Sequence, residues 1–272
     1  MLFREMPGAV IAISQPSHAW LSGQIIRSWG NAEFGRVTPY EDVCLGAEQH
    51  DIGWHLWEQS PTLNPRTGRP HSFRELSVAA HTAIWDGGTA MALTLGRYPA
   101  LLVSLHGTGL YASFDAASAS LADRVAVREF LTGQQVIQHQ LTESLRDDKH
   151  LGEFFSDETI ERNRRLVRAA DRMSIAICSG MRDPAISGST PREAVVRDVP
   201  TATGGTDLRL LAVNDDMDTI VVSPWPFVAT TVRFKCEGTL LPSCSFHDDS
   251  EMRVALRNAR KVVISVDLRP ER

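Results

Sequence analysis

Cysteine is sparse in this chain of 272 residues: Cys44, Cys178, Cys236 and Cys244 are the full set, and no two of them form a C-x-x-C pair. That excludes a zinc knuckle or a disulfide framework and leaves four small apolar side chains, as expected in a reducing compartment. No segment approaches the ~20 apolar residues of a membrane span, and MLFREMPGAVIAIS has no small-residue cleavage pattern, so the expected location is the cytoplasm, with no membrane partner. An excess of positive charge is also missing. The formal net charge of −5 gives no electrostatic reason to expect duplex nucleic acid. There is no internal repeat and no low-complexity tract. With 43% hydrophobic and 22% charged residues, the chain has the composition to bury a core in one large domain or one and a half.

What is present is patterned. Gly8-Ala-Val-Ile-Ala-Ile-Ser14 is a β-branched run suited to a short strand. In Gln15-Pro16-Ser17-His18 the proline ends that strand and fits the first turn of a helix reaching about Trp29, which puts His18 in that turn. Thr38-Pro39-Tyr40-Glu41 reads as an N-cap, a proline at the first helical position and an early acid. Tyr40 to Glu58 has helical apolar spacing and no proline, which predicts one helix carrying the adjacent pair His50-Asp51. An imidazole and a carboxylate side by side on a rigid element can aim at one shared centre.

Residues 60–71 form a long Pro- and Gly-rich loop, placed to act as a lid or to touch a substrate. Phe73 to Gly96 reads as a helix carrying His81, broken or kinked at Gly87-Gly88, and the apolar segment ALLVSLHGTGLY brings His106 to its end. Leu121–Asp148 and Glu158–Cys178 read as amphipathic helices, the second bearing Asp171. Beyond Gly180 the β-branched runs 208–213, 219–222, 229–234 and 262–268 read as a small antiparallel sheet, with a short helix near Ser250–Ala259. The expected fold class is therefore mainly α. Residues 1–180 would form a helical metal-binding domain with a short N-terminal strand, and 181–272 an appended β-rich part packing on it, α+β overall. Ala9–Ser14 is expected to pair with the C-terminal sheet, and Ser223–Phe227 to mark a junction rather than an exposed loop.

The strings QPSHAWLSGQ, EQHDIGW, SVAAHTAI, LLVSLHGTGLY and RAADRMSIAI carry His18, His50 with Asp51, His81, His106 and Asp171 on five expected helices. Over roughly Gln15 to Cys178 the chain resembles the HD-domain superfamily of metal-dependent phosphohydrolases, whose ligand order is H…HD…D with two further histidines in its two-metal branches. Within it the chain looks most like an uncharacterised bacterial group with the same QPSH and HDIGW strings and a late Pro224-Trp225-Pro226-Phe227. The resemblance implies an HD-like bundle and one or two divalent transition ions, Fe, Mn, Co, Ni or Zn. It implies Asp51 as the bridging, catalytic carboxylate, His18, His50 and Asp171 on the first ion, and His81 and His106 on the second. Two ions about 3.5–4 Å apart would clamp an in-line attack on phosphorus and acidify a bridging water. Relatives often carry a lysine shortly after the HD pair, whereas here Gly53 is followed by Trp54 and His55.

Around this set, Glu58 lies at i+7 from Asp51 and is either a general base or a solvated carboxylate. His55, at i+4, can stand in for His81 but reads first as a surface residue. Arg164, Arg168 and Arg172 form an i, i+4, i+8 stripe, read either as a guanidinium fork for substrate phosphate or carboxylate or as a charged outer helix face. Trp54 is core packing or an aromatic wall for a base or sugar. The leading expectation is a metal-dependent hydrolase acting on a small phosphoester or nucleotide, with a homodimer admitted. The alternatives are a di-iron oxygenase, favoured by the missing lysine, and a non-catalytic module that binds a ligand or partner.

Overall fold

The computed structural model describes residues 1–215, 217–242 and 245–271; Cys244 lies outside them, and Cys44, Cys178 and Cys236 are buried free thiols. In chain order the elements are β1 (Leu2–Met6), β2 (Ala9–Ile13), α1 (Gln15–Ser28), α2 (Tyr40–Glu48), α3 (Trp54–Gln59), β3 (Leu63–Asn64), β4 (Arg69–Pro70), α4 (Val78–Leu93), α5 (Arg97–Leu110) and α6 (Leu121–Arg146). After a 3₁₀ turn at Gly152–Phe154 come α7 (Asp157–Ser179), β5 (Glu193–Pro200), β6 (Gly205–Ala212), β7 (Thr219–Ser223), β8 (Val232–Pro242), α8 (Asp249–Asn258) and β9 (Lys261–Pro270).

The expectation of a mainly α bundle with a small antiparallel sheet is overturned. Seven strands form one sheet in the order β1-β2-β8-β9-β7-β6-β5, built from both ends of the chain. It is mixed, because β9 inserts between β8 and β7, antiparallel to the first and parallel to the second. The reason lies in β2. Its Ile11 and Ile13 enter the main core while Val10 and Ala12 enter a smaller one with Leu241, so both faces are buried and both edges need a partner. β1 supplies one edge. β8 supplies the other, with Ala9 opposite Pro242 and Ala12 opposite Thr239, which is the pairing with the C-terminal strands that the sequence predicts.

Helices α1 and α7 lie on this sheet, α1 against β8 and α7 against β1 and β5; α2 and α5 pack on them, and α4 and α6 pack on α5. Since β2 covers β8 only from Thr239 to Pro242, the backbone of Lys235 and Glu237 is left for side chains of α1. Ser17 Oγ donates to Glu237 O (2.7 Å) and accepts from Glu237 N (3.1 Å). Gln24 donates Nε2 to Lys235 O (2.8 Å) and accepts at Oε1 from Lys235 N (3.2 Å). Serine caps set the local frame: Ser14 Oγ accepts from Ser17 N to start α1, and Ser156 caps α7, which ends at left-handed Gly180.

Three local readings change. Tyr40 to Glu58 is two helices, with Gln49–Gly53 forming the turn between them, and α2 starts at Tyr40 with Pro39 as its cap residue. Gly87-Gly88 leaves α4 unbroken. Residues 60–71 contain the small β3–β4 hairpin. The predicted junction at Ser223–Phe227 is present: Phe227 is 1% exposed and bridges to Trp29, and Gly30 N donates to Pro226 O at 2.9 Å. Among the described residues, no helix is long and apolar enough to cross a membrane.

Truncation after Gly205 removes β6 to β9 and α8, hence the partners of β2 and β5 and the seat of α1. The expected outcome is joint loss of the cooperative thermal transition and of metal uptake, followed by circular dichroism and elemental analysis. A truncated chain that stays helical and binds metal normally contradicts it.

Candidate metal centre

Four elements deliver five polar side chains to one buried place. His18 comes from the first turn of α1, His50 and Asp51 from the turn after α2, His106 from α5 and Asp171 from α7. Their exposures are 1, 1, 3, 6 and 7% in that order, far below what unpaired ionisable groups tolerate. Ligand atoms of His18, His50 and Asp51 lie within 4.8 Å of one another, and so do those of His50, His106 and Asp171.

The hydrogen bonds on the far sides of two rings assign their tautomers. Ser174 donates its hydroxyl to Asp171 O (2.7 Å) and accepts from Ser22 Oγ (3.0 Å), so the contact of 2.5 Å to His18 Nδ1 is filled by an Nδ1–H donor. His50 Nδ1–H likewise donates to Ala47 O at 2.8 Å. In the neutral rings both Nε2 atoms are then acceptors, and both face carboxylates. His18 Nε2 is 2.8 Å from Asp51 Oδ2 and 3.6 Å from Asp171 Oδ1; His50 Nε2 is 3.5 and 3.4 Å from the same two oxygens and has no hydrogen-bond partner. Lone pairs facing carboxylates in a buried cluster call for a cation between them, either a proton or a metal ion. The cluster can hold a metal ion, and its imidazole and carboxylate donors with far-side orienting bonds are of the kind metal sites use.

Titration follows the same logic. Burial alone lowers the His50 pKa, but Asp51 and Asp171 outweigh it and raise it to about 9. Burial works to raise Asp171 and Asp51, and the neighbouring imidazoles hold both carboxyls below their usual range. His106 is pushed down to about 4, by burial first and by His50 second. It is 3.9 Å from Asp171 Oδ2.

The centre opens into a cavity of about 360 Å³ whose walls include His18, Asp51, Trp54, His81, Trp85 and Tyr111. His81 lines that cavity but does not join the cluster. Trp85 Nε1–H donates to His81 Nε2 (3.2 Å), so the ring carries its proton on Nδ1 and donates it to Tyr111 Oη (2.6 Å). Burial lowers the His81 pKa and raises that of Tyr111, so both are neutral near pH 7. Trp54 is 1% exposed and stands edge-on to His81.

Glu58 is not brought to the centre. The break between α2 and α3 removes the i+7 relation to Asp51, and Glu58 instead accepts from Gln15 N (2.9 Å) and lines a separate cavity with exposed His55. Arg164 and Arg168 do not line the metal cavity either. With Arg172 they line a second one, of about 220 Å³, that shares Arg74, His106 and Leu110 with the first.

Sequence reading missed Ser22, Ser174, Trp85, Tyr111 and Arg74. Two carried a signal, since Ser174 sits at i+3 from Asp171 and Trp85 at i+4 from His81, each within reach on one helix face.

The fold is a helix-covered mixed sheet with a buried His/Asp cluster, able to hold a metal ion, beside an open cavity. The chain matches, over residues 1–243, the family described as protein of unknown function (DUF3891), and it belongs to that family. No curated protein and no solved structure matches it.

Two outcomes are expected. Gly53 abuts α4 so closely that a Cβ there would lie 2.1 Å from Ile84 O and 2.9 Å from Gly88 Cα. Gly53→Ala should therefore displace the His50-Asp51 turn and cost about 2 kcal/mol or more in a thermal melt, with metal uptake reduced. Near pH 7 the raised His50 pKa means that an entering metal ion displaces a proton. Calorimetry in buffers of different ionisation heat should show release of about one proton per ion, with affinity rising with pH until about 9. No release at pH 7 contradicts this.

Proposed function

We propose that the chain is a metal-dependent hydrolase of HD-like type acting on a small phosphoester or nucleotide. The observation that carries this reading is the pair of imidazole lone pairs, on His18 and His50, turned onto the buried carboxylates of Asp51 and Asp171. A divalent ion there would be held by the triad His18, His50 and Asp51 or by the triad His50, His106 and Asp171, and would supply the positive charge these groups call for. Their order in the chain, His18, His50-Asp51, Asp171, matches the H…HD…D order of the HD superfamily and supports the reading from the sequence side.

Imidazoles and carboxylates without thiolate suit Zn, Mn, Fe, Co or Ni. A bound ion would polarise a phosphoryl oxygen and lower the pKa of a water toward neutrality. The chain's own groups do the rest. Ser174 and Ala47 O keep the two imidazoles aimed. His106, neutral at working pH, is placed as a further ligand. Tyr111 receives the Nδ1 proton of His81, so its own hydroxyl hydrogen is free to donate to an oxygen of the substrate. Trp54 and Trp85 offer aromatic faces to a base or sugar.

Both ring nitrogens of His81 are engaged, which supports one ion rather than two and weighs against the di-iron oxygenase alternative. An open cavity at the carboxylates weighs against a purely structural module.

Anaerobically purified full chain should carry about one transition ion, and Asp51→Ala should lose it, with hydrolysis of bis-p-nitrophenyl phosphate falling roughly a hundredfold or more. Unchanged metal stoichiometry in a folded Asp51→Ala variant overturns the reading. Metal-dependent O₂ consumption without hydrolysis would transfer it to the oxygenase class.

A further inference from the structure

Beside the cavity at the His/Asp cluster lies the chamber of about 220 Å³ faced by the arginines of α7, and the two share Arg74, His106 and Leu110 as walls. Four residues along a helix rise about 6 Å, so Arg164, Arg168 and Arg172 stand as a ladder along one wall. Their charges are not equivalent. Arg164 is engaged by Glu161, with Nε and Nη2 at 2.7 and 2.6 Å from the two carboxylate oxygens. Arg74, which stands where the two cavities meet, is held by Asp183 at 2.9 Å to each oxygen. Among the described residues, Arg168 and Arg172 have no carboxylate within ion-pair distance, while the other arginines at this chamber do.

Both are half-buried and one helical turn apart, an arrangement of like charges that costs stability unless an anion sits between them. Gly109 keeps the wall opposite Arg164 free of a side chain: a Cβ there would be 3.5 Å from Nη1.

We propose that Arg168 and Arg172 bind a phosphate-type dianion of the substrate, and that this group is held and not cleaved. The substrate is then a small molecule with two separated anionic groups, the reacting one in the metal cavity and the other in the arginine chamber. Two uncompensated guanidiniums match the charge of about −1.5 to −2 on a phosphomonoester near pH 7, whereas a single carboxylate leaves one cation unmatched. The forked donors suit its oxygens. The identity of the reacting end rests on the metal-hydrolase reading; the anion chamber stands on its own residues.

The test is calorimetric titration of inorganic phosphate into the full chain stripped of metal with EDTA. Binding is expected without metal, weakened about tenfold or more by Arg168→Gln and by Arg172→Gln, and partly restored by Arg168→Lys and Arg172→Lys, which keep the charge and lose the fork. Thermal melts establish that each variant is folded, and the lysine pair carries the comparison if a glutamine variant is not. No phosphate binding to the stripped chain overturns the proposal, as does binding that is indifferent to both arginines. Phosphate that binds only after metal is restored also overturns it, because the ion itself is then the anion site. A wild-type chain that takes up no metal but still binds phosphate through Arg168 and Arg172 would uphold the chamber and overturn the hydrolase reading.

Discussion

Two buried imidazole nitrogens that face two carboxylates are the constraint on which the rest of the structure turns. Separately, each group is costly to bury, and the two carboxylates repel each other at this range. Together they are stable only with positive charge among them. The His50 ring, raised to about 9, takes that role as an imidazolium when no metal does. The bonds to Ser174 and Ala47 matter because they occupy the one nitrogen of each ring that would otherwise let it rotate away. The serines and the carbonyl are thus as much part of the centre as the residues that touch its middle.

The sheet serves this arrangement although it contributes no ligand. The stretch of β8 that β2 leaves uncovered is finished by Ser17 and Gln24 of α1, so the helix that carries His18 is fastened along its length to the backbone of a strand. α7 is pressed between the same sheet and the other helices, which fixes the depth of Asp171 and the direction of the arginine ladder. Gly53 and Gly88 perform the remaining adjustment, letting the His50-Asp51 turn approach α4 more closely than any side chain would permit.

The residues of the buried cluster were legible because helices advertise themselves locally: periodicity placed α1, α5, α6 and α7 well, and with them His18, His106 and Asp171. The HD pair was found, though its setting was not. Apolar spacing ran through 40–58 without a proline, and nothing in that spacing reveals that Gln49–Gly53 leaves the helix to meet Gly88. The glycine pair in α4 was misread for the same reason, since a contact surface between helices and a break within one look alike in one dimension. The sheet was underestimated because strand partners lie far apart in the chain: β1 has no β-branched residue and is a strand chiefly because β2 lies beside it, while the valines of β5 are interrupted by charged residues. The placement of Glu58 depended on a continuous helix and failed with it, and the engagement of His81 by Tyr111 required knowing that two distant helices share one wall.

The strap between α1 and β8 has a consequence for synthesis. Ser17 and Glu237 are 220 residues apart, and His18 is 156 residues from the serine that orients it. A nascent chain leaving the ribosome therefore exposes His18, His50 and Asp51 long before anything exists to hold them in place. Long-range closure of this kind is slow relative to helix formation. The buried cluster is therefore complete only once these distant segments have closed on one another.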